Sequence, residues 1–197
     1  MQKLLIATTN AGKLREIATV LGGVPFDLVN LAGWPGLAAP AETGRTFEEN
    51  ARAKALYYSA ATDSLTVAED SGLEIDALGG APGIESARWG GATASYPQKF
   101  ALIFDALRAT GSLDSPARFV CALVLARAGQ ALFEARGIVE GRIAQPTGDG
   151  GFGYDPIFFY PPLGRTLAEM GAEKSSVSHR AQAFSELRKF LEGSGRL

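Results

Sequence analysis

The chain has 197 residues, 46% hydrophobic and 20% charged, with 19 Lys and Arg against 21 Asp and Glu and a formal net charge of −2. That length makes one domain, or two small lobes on a shared sheet, and buries roughly two-thirds of the unfolded surface without a covalent staple. A slightly acidic balance argues against a nucleic-acid polymer as partner, because a protein that grips a long polyanion shows a basic surface.

A single cysteine, Cys121, excludes an internal disulfide. Within "RFVCALVLA" it reads as a small buried hydrophobe, and it fits a reducing cytoplasm. The apolar run near the N-terminus is short. A membrane span needs about 20 apolar residues, so neither a span nor a signal peptide is expected.

In chain order, "KLLIAT" (3–8) reads as a short buried strand. "KLREIATVLGG" (13–23) follows as a helix, with Leu14, Ile17, Ala18 and Leu21 at helical spacing and Gly22 as its stop. Strand, polar turn and helix in that order form a βα unit. "FDLVNL" (26–31) is a second strand. Residues 33–46 form a Gly/Pro loop. Thr46 then opens a helix to about Thr62, and "TFEE" has the form of a capping box, with Glu49 three residues after Thr46. Phe47, Ala51, Ala55 and Tyr58 make its buried stripe, while Asn50 and Lys54 lie one turn apart on another face.

"LTVAED" (65–70) is a strand that delivers Glu69 and Asp70 at its end, with a flexible glycine-rich loop expected after it, up to Arg88 and Trp89. "PQKFALIFDALRAT" (97–110) is a helix. Residues 117–129 and 130–143 are strands joined by a tight turn, an antiparallel hairpin. "PTGDGGFGYDPIFFYPP" (146–162) is a glycine-rich loop running into a short strand. "EKSSVSHRAQAFSELRKFLEG" (173–193) opens polar and becomes helical, with Phe184, Leu187 and Leu191 inward. Alternating helices and strands with one hairpin give an α/β class and a mixed sheet. Residues 1–197 read as one domain.

Four separated segments carry candidate chemistry. In "TTNAGK", Thr8, Thr9, Asn10 and Lys13 sit where a strand becomes a helix. Free backbone N–H groups and the positive dipole end suit a phosphate there. The other reading is a plain N-cap by Thr9 or Asn10 with a solvated lysine. In "EDSG", Glu69 and Asp70 point to opposite faces of an extended chain. Asp70 can hold a Mg²⁺ or orient a water, with Glu42 as a second carboxylate, or the stretch is a solvated turn.

In "GGFGYDP", Phe152 offers a face for a flat base, or Phe152 and Tyr154 anchor the loop in the core. In "EKSSVSHR", Lys174, His179 and Arg180 with three serines suit an anion or a polar ring, or they form a solvated helix start. One His and one Cys exclude a His₃ or Cys-rich zinc site, and no nucleophile elbow accompanies His179.

Taken together, "ATTNAGKLREI", "ETGRTFEENARAKA", "EDSGLEIDALGGAPGIESARWGG", "GFGYDPIFF" and "EKSSVSHRAQA" resemble, in order and spacing, the inosine triphosphate pyrophosphatase family, in its bacterial XTP/dITP diphosphatase branch. The resemblance spans nearly the whole chain. It implies Mg²⁺-dependent hydrolysis of ITP, dITP and XTP to the monophosphate and pyrophosphate, a homodimer, and an elongated long mixed sheet flanked by helices, with two lobes and the site in the cleft between them.

By position it implies that Thr8 to Lys13 bind triphosphate and that Asp70 is proton acceptor and metal ligand. It also implies that Ser71, Phe152, Gly153, Tyr154, Asp155, Lys174, His179 and Arg180 contact substrate, and that Glu42 joins the metal site. The family often has Asp where this chain has Glu69, which leaves Asp70 intact. On this reading water attacks the α-phosphorus in one step, with Lys13, Lys54 and Arg88 offsetting phosphate charge. The rival readings are a purine nucleotide-binding sensor without turnover and a general phosphatase that releases orthophosphate.

Overall fold

The computed structural model describes residues 1–193. Its elements follow the order β1 (Gln2–Ile6), α1 (Ala11–Val20), β2 (Phe26–Asn30), α2 (Phe47–Thr62), β3 (Leu65–Ile75), α3 (Tyr96–Thr110), β4 (Pro116–Arg127), β5 (Gln130–Ile143), β6 (Phe158–Tyr160), β7 (Arg165–Thr166), α4 (Lys174–Val177) and α5 (His179–Gly193). The strands form one seven-stranded sheet in the order β2-β1-β3-β4-β5-β6-β7. β1 is parallel to both β2 and β3, whereas β6 is antiparallel to β5 and β7, so the sheet is mixed. β4 and β5 are joined through Ala128 (φ 48°) and Gly129 (φ 73°). Two left-handed residues are what a two-residue hairpin turn matched to strand twist requires.

The chain divides into two compact units. The first comprises residues 1–70, 121–137 and 179–193, the second 71–120 and 138–178. The unit boundaries fall inside β3, β4 and β5. In the first unit, Leu4, Ile6, Ile17, Leu21, Leu65, Val67, Leu123, Phe184, Leu187 and Leu191 form a buried core. α1 packs against α5 there. Each such side chain contributes about 1.5–3 kcal/mol on burial, which is what holds helices whose exposed faces are polar. In the second unit, Leu73, Ile75, Phe100, Ile103, Phe104, Leu107, Val139, Ile157 and Phe158 form a separate core.

Three local expectations change. α1 begins at Ala11 with Asn10 as its N-cap, and Ala18 turns outward. The α2 cap is half a capping box: Thr46 Oγ1 accepts the Glu49 N–H at 3.1 Å, but Glu49 Oε2 accepts from Arg45 N rather than from Thr46 N. Most consequential, β3 does not end at Asp70. It continues through Ser71 and Gly72 to Ile75. Ser-Gly is turn chemistry in isolation, but Leu73 and Ile75 are both 0% exposed. Their burial, with β4 as the neighbour of β3 in the sheet, outweighs the local preference.

The expected flexible loop is also a tied segment. Leu73 N donates to Ser86 Oγ (2.9 Å), Ser86 Oγ to Gly83 O (2.6 Å), Tyr154 Oη to Ser86 O (2.8 Å), and Lys99 Nζ to Ala87 O (2.5 Å). The carbonyls of Ser86 and Ala87 are therefore held by side chains from the 150s loop and from α3.

Candidate functional site

The period of β3 organises the first unit's polar residues. Leu65, Val67 and Glu69 share the face that meets α1 and α5. Thr66, Ala68 and Asp70 share the face that meets α2. Adjacent carboxylates therefore enter two different environments.

On the α1/α5 face, Glu69 Oε1 lies 3.0 Å from Arg180 Nε and 3.2 Å from Lys13 Nζ. Arg180 Nη1 reaches Glu16 Oε2 at 2.6 Å. The Arg180 and Glu69 side chains are each 2% exposed. Burial disfavours the Glu69 charge, but Arg180 and Lys13 outweigh it and hold this carboxyl well below the ordinary range. Burial likewise works against Arg180, and Glu69 and Glu16 overcome it to raise its affinity for its proton. Cys121 Sγ completes the cluster, 3.6 Å from Glu69 Oε2. Burial, then the Glu69 charge, pushes the thiol well above its ordinary value, which leaves it an unreactive packing residue. Lys13 is thus paired, not solvated.

Just before it, Asn10 Oδ1 accepts from Gly12 N (2.9 Å) and Lys13 N (3.1 Å), and Thr8 Oγ1 accepts from Asn10 N (3.2 Å). Thr9 and Asn10 are exposed at this helix start. The turn is capped by its own side chains, and the lysine beside it is oriented from β3.

On the α2 face, Asp70 Oδ2 accepts from Asn50 Nδ2 at 3.1 Å, and Asp70 Oδ1 lies 3.1 Å from Lys54 Nζ. Lys54 Nζ also meets Glu42 Oε1 at 2.8 Å. Asn50 is oriented in turn by Gly44 N, which donates to its Oδ1 at 2.9 Å. A Cβ at Gly44 would lie 2.6 Å from that same oxygen, so the approach demands glycine. Burial raises Asp70 above the ordinary aspartate value despite the opposing pull of Lys54 and Asn50. Burial also opposes the Lys54 charge, but Asp70 and Glu42 together raise it. Asp70 is therefore an oriented carboxylate with strengthened basicity, which is what proton abstraction from a water asks for.

The described residues contain no group of three or more His, Cys, Asp and Glu placed to hold a metal. What they contain is the Glu42–Asp70 pair around one cation. Two carboxylates are a fitting donor set for Mg²⁺, which takes hard oxygens and completes its shell with waters and phosphate oxygens.

The second unit holds another cluster. Asp155 Oδ2 accepts from Phe152 N (2.7 Å) and from Lys174 Nζ. Lys174 Nζ stands 4.7 Å from the Phe152 ring centroid, a cation–π contact. A Cβ at Gly151, where φ is +67°, would lie 2.1 Å from Asp155 Oδ2, so the loop closes on its carboxylate only with glycine there. The two aromatics expected as anchors separate. Tyr154 is buried, edge-on to Tyr96 at 5.3 Å, and bonds Ser86 O. Phe152 remains half-buried beside Lys174. Gly153 (φ +71°) joins them. Ser71 is half-buried in β3. Arg88 is exposed and pairs with Glu85 at 3.0 Å. The "EKSSVSHR" segment is no solvated helix start: Lys174, Ser178, His179 and Arg180 are all buried, with a break at Ser178 between α4 and α5.

Asn50 and Glu16 were not anticipated as functional neighbours. Asn50 carried a usable signal, one turn before Lys54 on the same face of α2. Glu16 carried none, since its partner Arg180 is 164 positions away.

Residues 4–190 match the model of the Ham1 family, described as Ham1p-like. A dITP/XTP pyrophosphatase of an Exiguobacterium species is 45% identical over 187 residues, covering 94% of each chain. The dITP/XTP pyrophosphatase of Geobacter sulfurreducens is 42% identical over 197 residues, 99% of each. Among solved structures, a HAM1 protein from Coxiella burnetii superposes with a TM-score of 0.89 at 35% identity, covering 97% of this chain and 98% of that one.

Proposed function

Because this chain belongs to the Ham1 family, and its curated relatives carry the name dITP/XTP pyrophosphatase, we infer that it hydrolyses deaminated purine nucleoside triphosphates to the monophosphate and pyrophosphate. ITP, dITP and XTP are the substrates proposed, and the role is removal of damaged purines from the nucleotide pool. The observation that carries the catalytic assignment is Asp70, held by Asn50 and Lys54 and made more basic by burial.

In the proposed step a water oxygen bonds to the α-phosphorus while the bond from that phosphorus to the bridging oxygen breaks. The water's proton passes to Asp70, and pyrophosphate departs. Asp70 and Glu42 would hold Mg²⁺, which when bound would supply Lewis-acid stabilisation of phosphate charge. Lys13 and Lys54 offset the charge that develops on the phosphate oxygens, and Arg88 adds to this. Thr8, Thr9 and Asn10 contact the triphosphate at the α1 start.

In the second unit, Phe152 offers its ring to the purine, and Lys174 donates to its C6 keto oxygen. Gly153, Tyr154 and Asp155 shape that loop, and Ser71 contacts substrate. Adenine carries a donor at C6, so Lys174 facing it is left unpaired, at about 1–3 kcal/mol. Guanine has the keto oxygen too and must be refused by another device. His179 and Arg180 complete the proposed substrate-binding set, Arg180 with its guanidinium also paired to Glu69 and Glu16. Work as a homodimer in the cytoplasm completes the proposal. No described helix is long and apolar enough to cross a membrane.

The sensor alternative draws on Glu69 standing where the resembled family often has Asp. The Glu69 carboxylate pairs with Lys13 and Arg180, on the face away from Asp70, so that difference leaves the proposed base untouched. The test is a screen of ITP, XTP, ATP and GTP with pyrophosphate and orthophosphate both monitored. Pyrophosphate release from ITP and XTP at roughly 10- to 100-fold higher kcat/KM than from ATP is expected. Orthophosphate release, or binding without turnover, contradicts the proposal.

A further inference from the structure

The Lys54 ammonium stands between the two carboxylates assigned to the metal, 2.8 Å from Glu42 Oε1 and 3.1 Å from Asp70 Oδ1. One pair of carboxylates cannot give full neutralisation to an ammonium and a dication at once. Like charges brought to the same oxygens repel strongly in a site largely removed from water. We propose that Lys54 is a built-in competitor for the metal: its ammonium holds the Glu42–Asp70 pair until a divalent cation displaces it, and the displaced ammonium turns to the triphosphate. The inference rests on the reading of Glu42 and Asp70 as the metal pair.

Two features of the site favour exchange over permanent pairing. First, the parts that must stay are fixed separately from the part that must move. Asp70 is held through its other oxygen by Asn50, and Asn50 is held by Gly44 N, so the carboxylate keeps its aim when the lysine leaves. Second, Lys54 has a flexible four-carbon stem, and its side chain is 13% exposed. Of the two cations beside Glu69 on the other face of β3, Arg180 is the contrast: it is a planar fork with a 2% exposed side chain, bonded to two carboxylates.

The consequence is coupling. Metal alone must evict an ammonium that has nowhere equally good to go. Metal arriving with triphosphate brings the anion that receives it. Each ligand therefore strengthens binding of the other, and Lys54 is the residue through which they communicate.

The experiment measures Mn²⁺ binding to the full chain without nucleotide, by titration calorimetry or by the electron paramagnetic resonance of free Mn²⁺. Lys54→Met and Lys54→Gln remove the competing charge and are expected to bind Mn²⁺ at least ~10-fold more tightly than wild type, while Lys54→Arg stays within ~3-fold. Unchanged or weaker binding in both neutral variants overturns the proposal. Thermal melts provide an independent readout. Mn²⁺ is expected to raise the Tm of Lys54→Met by more than that of wild type, and equal shifts contradict the exchange.

Asp70→Asn and Glu42→Gln, each placed in the Lys54→Met background, separate the two levels of the argument. Loss of the gained affinity supports the exchange at this pair. Retention of that affinity in both double variants puts the metal elsewhere and removes the metal-pair reading together with the proposal. Loss of Mn²⁺ binding in Asp70→Asn alone, with no tightening in Lys54→Met, keeps the metal pair and removes only the exchange.

Discussion

Glu69 and Asp70 are consecutive residues of one strand with nearly the same side-chain chemistry, and the fold gives them opposite properties. Glu69 faces α1 and α5, where Arg180 and Lys13 depress its proton affinity. Asp70 faces α2, where an amide and one ammonium do not fully offset burial, and its proton affinity rises. The first carboxylate cannot readily take a proton and serves as a counter-ion. The second is the one proposed to take a proton. What separates the two carboxylates here is the set of cations within reach, not residue type.

The largest expected effect comes from breaking the Glu69 side. Glu69→Gln leaves Arg180 buried with Glu16 as its remaining carboxylate of this pair. Removing one partner of a buried ion pair costs about 3–5 kcal/mol. A calorimetric melt should show a Tm fall of roughly 10 °C, since 1 kcal/mol shifts a domain of this size by about 2–4 °C. The pH dependence has a defined sign. The folded-state affinity of Glu69 for its proton is depressed, so its stabilisation is present above the ordinary glutamate value and is lost as pH falls below that value toward the depressed one. Wild type should therefore lose stability on acidification more steeply than Glu69→Gln. Parallel acid limbs would show that Glu69 does not carry this stabilisation.

A smaller effect is expected in the second unit. Lys174→Met removes the cation beside Phe152 and the partner of Asp155, and with it the donor assigned to the purine C6 oxygen. The ITP/ATP ratio of kcat/KM should fall about tenfold, mostly through KM for ITP, in line with the loss of one buried hydrogen bond. An unchanged ratio with a raised KM for both nucleotides would make Lys174 a loop support and not a base reader.

Two changes of about 1 kcal/mol sharpen the comparison from below. Glu69→Asp keeps the charge and removes one methylene, at about 1 kcal/mol of stability. Its kinetics should match wild type if charge is what Glu69 supplies, and a large kinetic loss would place Glu69 among the groups that touch substrate or metal. Thr46→Ala removes the α2 cap to Glu49 N, at about 1 kcal/mol in a denaturant titration. Since α2 carries Asn50 and Lys54, that variant also tests whether fraying the helix start reaches the Asp70 side.

Much of this architecture was legible in the sequence because it is encoded locally. The strand-turn-helix start, the inward stripe of α2, the β4–β5 hairpin and the α3 face all follow from periodicity and turn residues a few positions apart. The alternation that sends Glu69 and Asp70 to opposite faces was legible for the same reason.

What was missed depends on distant partners. Ser71 and Gly72 read as the end of a strand until the sheet neighbours and the buried Leu73 and Ile75 are known. Asn50 meets Asp70 across 20 positions, and Arg180 meets Glu69 across 111. No local pattern announces such pairs. The lysine read as a solvated alternative, Lys13, became a paired one for the same reason: its carboxylate lies three elements on, in β3. Of the two aromatics in "GGFGYDP", only packing against Tyr96 and Phe100 tells Tyr154, the anchor, from Phe152.

Asp70 is proposed as the carboxylate that works on water, while its neighbour only holds charge. The most direct measurement is kcat for ITP hydrolysis by Asp70→Asn, read as pyrophosphate released, with a melt to confirm the fold. A loss of at least ~100-fold, with Tm kept near that of wild type, is the predicted result for removal of a positioned base. Activity within about tenfold of wild type would contradict the assignment, and the distinction between the two faces of β3 would lose its functional meaning.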